Sequence, residues 1–304
     1  MSIVRCPPEL RGQAFAIVLC DLAPSQRREM ASPLLSENAG GENSALESLF
    51  IALRGEQLCG AAWGQSQVGN VAVLWPPQLV SGEDFETAQL LARAAVDDLD
   101  AKGVDLTQSL LVAPDEQLVG LLKDAGFRHL ADLVYLSCEA ARFPLVAPDP
   151  CEVEFEEYRV DQRRRMADVM HRTYEGTLDC TALDGVRDMN DVIDGYMATG
   201  AFKAENWSFV RNGGHDVGVL ILADHPGARH RELVYMGLVP EYRGRGWGRQ
   251  VAHYAQWLTR GARLERLLVA VDVANKPAAD IYRATGFEVW ELREVYVRMR
   301  AKSR

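Results

Sequence analysis

Two α+β domains in tandem are what this sequence predicts, and three observations predict them. The chain has 304 residues, 48% of them hydrophobic, enough for two cores when one domain commonly takes ~100 to 200 residues. Short apolar stretches with strand character alternate with stretches whose apolar residues recur at helical spacing in both halves. The halves also resemble each other: LVGLLKDAGFRHLADLVYLSCE aligns with AADIYRATGFEVWELREVYVRMR at an offset of about 160 residues, each placing Gly-Phe after a short helix and an aromatic strand beyond it.

Composition narrows the function. The net charge is −10 and the pI near 5.2, so a general affinity for nucleic acid or an anionic membrane is not expected, since both need a basic face. Six cysteines and six histidines show no C-x-x-C and no H-x-x-x-H, which argues against a structural metal or a disulfide framework. The longest early apolar run, Ala14 to Cys20, is too short to span a bilayer and has no credible small-residue cleavage site after it, so a cytoplasmic protein is expected.

The first half, residues 1–145, opens on a helix-like stretch and a polar loop from Ser36 to Ser44. Leu49 to Leu53 and Leu58 to Trp63 flank Arg54 to Gln57 as a hairpin, and Val71 to Leu74 adds a strand. Leu90, Leu91, Ala94, Ala95 and Leu99 fall on one face of a helix from Asp84 to Lys102. Ser109 to Val112 reads as a strand, Glu116 to Asp124 as a short helix, and Leu133 to Cys138 as the closing strand. A linker with three prolines, Arg142 to Cys151, marks the boundary.

The second half, residues 152–304, begins with an alternating strand, Glu152 to Tyr158, and a helix from Arg163 to Tyr174. A loop carrying Asp179, Cys180 and Asp184 leads to a helix over Met189 to Met197. Ser208 to Arg211 and Val217 to Ala223 pair around Asn212-Gly213-Gly214. The central strand runs from Glu232 toward Pro240 and feeds a turn containing Arg243, Gly244, Arg245, Gly246, Trp247, Gly248 and Arg249, after which Trp247, Val251, Ala255 and Leu258 have helical spacing. Glycines there let backbone N–H groups close on a phosphate, the helix start adds partial positive charge, and the arginines add full charges. After a strand from Leu267 to Val273, Asn275 suits an N-cap, Pro277 a first turn and Gly286 a helix stop.

The two blocks V-P-x-x-R-x-R-G-W-G and N-x-x-A-x-x-I-Y-x-x-x-G-F resemble motifs A and B of the GNAT acetyltransferase superfamily. The resemblance implies two GNAT-like domains, each a mixed, mostly antiparallel sheet with helices on both faces, and acetyl-CoA as co-substrate. It places the pyrophosphate on Arg243, Gly244, Arg245, Gly246, Trp247, Gly248 and Arg249, the pantetheine arm along Met236, Gly237 and Leu238, and the thioester beside Asn275 and Tyr282. In the first half the corresponding stretch runs from Trp75 to Asp84, with two prolines and two acids, and Leu122 stands where Tyr282 stands. That half therefore reads as a copy without an acetyl-CoA site, an arrangement similar to the tandem architecture of the mycothiol synthases.

The implied reaction moves an acetyl group to a primary amine of a small molecule or peptide. A free amine has a pKa near ~10, so something must take its proton before it attacks. Glu232, eight residues before Pro240, resembles the glutamate assigned as base in the mycothiol synthases, and Asp272 is a second candidate. Tyr282 is placed to protonate the departing thiolate. Asp179 and Asp184 suit an ammonium or polyhydroxyl acceptor, or helix caps in a solvated loop. Cys180 as an acyl-accepting nucleophile has no base paired with it. A non-enzymatic acyl-CoA sensor is the other class these motifs allow.

Overall fold

The structure, a computed structural model, describes residues 1–22, 27, 30–31, 46–149, 152–181 and 188–300. The polar loop expected at Ser36 to Ser44, the end of the linker at Cys151, and Asp184 lie outside the described residues. The strands are β1 (Ser2–Arg5), β2 (Leu49–Arg54), β3 (Gln57–Gln67), β4 (Val71–Leu79), β5 (Leu106–Leu111), β6 (Arg128–Glu139), β7 (Glu154–Glu157), β8 (Trp207–Asn212), β9 (His215–His225), β10 (His230–Leu238), β11 (Arg266–Asp272) and β12 (Glu288–Met299). The helices are α1 (Arg11–Val18), α2 (Phe85–Ala101), α3 (Glu116–Asp124), α4 (Arg163–Tyr174), α5 (Met189–Met197), α6 (Trp247–Gly261) and α7 (Lys276–Ala284). Among the described residues no helix is long and apolar enough to cross a membrane.

Two compact units divide the chain: Met1–Leu130 with Glu294–Arg304, and Ala131–Arg293. They do not follow the cut at the proline linker. In the first unit the antiparallel partner of β5 is the end of β12, with Val295 opposite Leu110 and Val297 opposite Gln108. In the second unit the antiparallel partner of β11 is β6, with Leu267 opposite Cys138 and Val271 opposite Val134. Each half thus lends its closing strand to the sheet of the other. Both strands carry apolar residues on alternate positions, and either can complete an antiparallel edge.

In the first unit the period of two along β2 and β3 sends alternate residues to opposite faces. Ile51, Ala61 and Trp63 pack with Phe15 and Val18 of α1, while Phe50, Ala52 and Ala62 pack with Leu91 and Ala95 of α2 and Leu122 of α3. In the second unit Trp247, Val251 and Ala255 of α6 lie on Leu233, Val269 and Leu136, and Met166, Met170 and Ile193 of α4 and α5 cover Phe209, Val219 and Ile221 on the other side. Cutting a buried core tryptophan such as Trp247 back to alanine would cost about 3 to 5 kcal/mol.

The repeat seen in the sequence is carried into backbone detail. Gly126 and Gly286 end α3 and α7 with φ of 87° and 88°. The following Phe127 and Phe287 donate their N–H groups to Leu122 O at 2.9 Å and Tyr282 O at 3.0 Å. Only glycine takes that φ without strain, so the same residue closes both helices.

Candidate active site

The site of the second unit is made by two parallel strands that part. β10 and β11 pair from His230 and Arg266 as far as Leu233 and Val269. Beyond Leu233 the register of β10 against β9 jumps by one residue, so a bulge falls at Val234. A bulge increases local twist, and here it turns β10 away from β11 while β9 stays paired through Leu238. The backbone edge of Met236, Gly237 and Leu238 is left facing a cavity of about 570 Å³. Its lining also includes Val269 to Val271, Ala278, Ile281 and Tyr282.

One end of the cavity is the glycine turn. Gly244 and Gly246 have φ of 76° and 83°, and a Cβ at either would meet nothing within 4 Å, so conformation is what requires glycine there. Gly246 caps α6, leaving the first N–H groups of the helix without intrahelical partners. Gly248 lines the cavity and also serves packing. A Cβ there would lie 2.6 Å from Ile281 Cδ1, so this glycine allows α6 and α7 to approach.

Arg243 lines the cavity, and its guanidinium is engaged with its own chain. Nε donates to Leu238 O at 2.9 Å, Nη1 to Gly176 O at 3.0 Å and Nη2 to Thr173 O at 2.9 Å. It ties the turn to β10 and to the loop after α4. Arg245 lies over the rings of Tyr242 and Trp247 at 4.9 and 5.3 Å, and Arg249 lines the cavity. An anion held here would therefore draw on backbone N–H groups and Arg249 more than on the Arg243 side chain.

At the other end, Asn275 accepts the Ala278 N–H at 3.3 Å and caps α7, as its sequence position predicts. The cap orients α7 so that Tyr282, 4% exposed, reaches the cavity. Burial first, then the charge of Asp179 and the neighbouring Tyr235, raises the Tyr282 hydroxyl above its ordinary pKa. It stays protonated, which is the state an acid needs. Tyr235 is raised in the same way by burial, and its hydroxyl lies 2.9 Å from Thr173 Oγ1. Because Thr173 Oγ1 itself donates to Met170 O at 2.7 Å, Tyr235 is the donor in that pair.

Asp179 belongs to the cavity lining; Glu232 and Asp272 do not. Glu232 sits on the still-paired part of β10, opposite Leu268, with its carboxylate 3.1 Å from His225 Nε2. Asp272 holds the loop: it accepts from Cys180 N at 3.2 Å and Ala274 N at 2.8 Å, and its own N–H donates to Asp179 Oδ1 at 2.9 Å. Donor atoms of Asp179, Cys180 and Asp272 lie within 4.8 Å of one another. The Cys180 thiol is pushed up to about 12 by burial and by the two carboxylates, which keeps it protonated at neutral pH and makes it a poor nucleophile. Sequence reasoning missed Thr173, Tyr235 and Ile281 as wall residues. The alternation of Tyr235 with Gly237 on β10 was the available signal.

With this geometry in place, residues 177–287 match the acetyltransferase (GNAT) family. The chain carries a GNAT acetyltransferase domain. Over 68 residues it is 35% identical to a mycothiol acetyltransferase of Thermobifida fusca, a match spanning 22% of this chain and 21% of that relative's length. Among solved structures, a GCN5-related N-acetyltransferase from Sphaerobacter thermophilus matches with a TM-score of 0.66 at 13% identity, over 100% of this chain and 96% of that one. A tandem GNAT protein from the clavulanic acid biosynthesis pathway matches with a TM-score of 0.58 at 13% identity, over 100% and 99%. At such identities the two structures speak for the fold alone, over the whole length of this chain.

Proposed function

We propose that this protein transfers an acetyl group from acetyl-CoA to a primary amine, by direct attack of the amine on the thioester. The observation that carries the reading is the parting of β10 from β11 beside the glycine turn. An extended arm with amide groups can pair with the free edge of Met236 to Leu238, its pyrophosphate meeting the N–H groups around Gly244 and Gly246. The thioester then lies toward Tyr282 and the acceptor toward the loop of Asp179.

In this reading the amine gives up a proton and its nitrogen bonds to the carbonyl carbon. A strand N–H between Met236 and Leu238 steadies the oxyanion, the C–S bond breaks, and Tyr282 protonates the sulfur. Residues 152–304 supply the acetyl-CoA site and residues 1–145 supply none, so one chain binds one acetyl-CoA. The acceptor is a small molecule or a peptide amine.

The test is release of free thiol from acetyl-CoA by the purified full chain against a panel of amino sugars, amino acids, polyamines and peptide N-termini. Amine-dependent thiol release with one acetylated product is the expected result. Tight acetyl-CoA binding without thiol release from any amine would replace this reading with that of an acyl-CoA sensor.

A further inference from the structure

We propose that Asp179, not Glu232 or Asp272, accepts the proton of the attacking amine, an assignment that rests on the acyl-transfer reading above. Three carboxylates lie near the parting strands, and their surroundings separate them. Glu232 precedes the point of parting, lies outside the cavity wall and is engaged with His225 at 3.1 Å. Asp272 spends one oxygen on Cys180 N and the other on Ala274 N, and is also outside the wall. Asp179 is in the wall, and among the described residues only its Oδ1 is hydrogen-bonded, to Asp272 N at 2.9 Å.

That arrangement leaves Oδ2 of Asp179 for a ligand and keeps the carboxyl from swinging away. The reciprocal pair, Asp272 N to Asp179 Oδ1 and Cys180 N to Asp272 Oδ2, clamps the loop to the end of β11. Cys180 adopts a left-handed φ of 46° within this clamp, and Asp179 N donates to Thr177 Oγ1 at 3.1 Å. Arg243 secures the same loop one turn earlier through Gly176 O.

Asp179 acts electrostatically on Tyr282 of α7, Tyr235 of β10 and Cys180 beside it, and Asp272 of β11 acts on Asp179. All are neutral or negative. The cation that shares the cavity lining nearest this loop, Arg243, is committed to three carbonyls. Burial pushes the Asp179 carboxyl above its ordinary range, the Asp272 N–H pulls it partly back, and the Asp272 charge adds to the rise. A carboxylate so placed takes a proton more readily than a solvated one and attracts an ammonium group.

The protons then balance. An ammonium acceptor carries three: one passes to Asp179 Oδ2 before attack and leaves to solvent, one replaces the proton that Tyr282 gives the sulfur, and one stays on the amide nitrogen. The N–C bond forms as the C–S bond breaks, with no oxidant or metal required.

The experiment compares Asp179→Asn, Asp179→Glu and Glu232→Gln with the wild type, using acetyl-CoA and the most active amine of the panel, across pH. Asparagine keeps an oxygen for the Asp272 N–H, and glutamate keeps the charge, so acetyl-CoA affinity and the melting temperature of each report that the fold survives. We expect Asp179→Asn to lower kcat/KM about 100-fold below the amine's pKa, with its rate rising about tenfold per pH unit as free amine becomes available. Asp179→Glu should recover part of the loss, and Glu232→Gln should lose less than Asp179→Asn. A wild-type pH profile in Asp179→Asn overturns the assignment, as does a raised KM with unchanged kcat, which would make Asp179 only an ammonium binder. Failure of the wild type to release thiol with every amine would instead remove the acyl-transfer reading beneath it.

Discussion

The two units contain the same local construction at β4/β5 and β10/β11, put to opposite ends. In each, two parallel strands pair over three or four residues, as far as Val73 with Gln108 and Leu233 with Val269. In each, a bulge follows: β4 takes three steps from Trp75 to Gln78 while β3 takes two from Trp63 to Ala61, as β10 does against β9 at Val234. In the second unit the edge beyond the bulge is Met236 and Gly237 and faces a cavity. Counted from the last parallel pair, the matching places in the first unit are Pro76 and Pro77, which lie within the bulge and have no N–H to offer an arm. The Ser109 hydroxyl also reaches across to Leu74 O at 3.0 Å, bonding β5 to β4 just past the point where their pairing ends. Gly82 keeps a positive φ of 92°, but α2 starts almost at once, with Asp84 as N-cap and Glu86 in the first turn. An anion would meet carboxylates there. A shared backbone irregularity is therefore not a site; the groups placed on it decide.

The comparison breaks most visibly at the turns. Gly246→Val forces a β-branched residue to a φ of 83° at the start of α6, and acetyl-CoA affinity should fall about 100-fold or more. Gly82→Ala in the first unit should leave that affinity within about twofold. Calorimetry on both variants gives the answer, and a loss in Gly82→Ala would mean that the first unit binds cofactor. The stoichiometry of the wild type should be about 1 per chain.

Next in size is Tyr282→Phe, for which kcat should drop about 10- to 100-fold with the acetyl-CoA dissociation constant nearly unchanged. Full activity in this variant would make Tyr282 as purely structural as Leu122, its buried counterpart. Arg243→Ala should weaken acetyl-CoA about tenfold and also lower the melting temperature, since three carbonyl contacts vanish together. Weaker binding with unchanged melting would restore a direct phosphate contact for its side chain. Glu83→Ala, at the matching place in the first unit, breaks the pair with Arg54 and the contact with Cys59, and should leave acetyl-CoA affinity unchanged.

The smallest effect concerns pH. The folded Asp179 carboxyl lies above its unfolded value, so the native state binds the proton longer and stability falls as pH rises from the ordinary carboxylate value through the folded one. Asp179→Asn removes that fall. At pH 7 the variant should melt at the wild-type temperature or about 2 °C higher, while at pH 3 the difference should close. A variant less stable than wild type at pH 7 would show that Asp179 serves packing before chemistry.

Much of this was legible in residue order because it depends on neighbours along the chain. The turn from Arg243 to Arg249, the Asn275 cap and the Gly-Phe helix stops are local devices, in which spacing of a few residues dictates backbone shape. The helical spacing of α4 and α6 likewise identified buried faces, and that of α2 did so at Leu91, Ala95 and Leu99 but not at Leu90, which is exposed. The strand at Ser2–Arg5 was missed, since four residues with one half-buried side chain carry little pattern and owe their form to β2. The run through Pro76 and Pro77 reads as a turn by composition, yet β4 continues to Leu79 because a bulge accommodates residues that cannot donate.

What only the tertiary structure decided was partner choice across long separations. β6 and β12 have the same alternating aromatic and aliphatic character, so nothing in either states that β6 pairs with β11 and β12 with β5. The place of Asp179 is of the same kind. As a residue it is one acid in a polar loop, and it enters the cavity because Asp272, 93 positions later, offers an N–H at the end of β11. Arg243 is occupied for the same reason, since the carbonyls of Thr173 and Gly176 come to it from 70 and 67 positions away. Spacing along a chain specifies the shape of a turn; which groups remain free to meet a ligand is settled by what the fold brings against it.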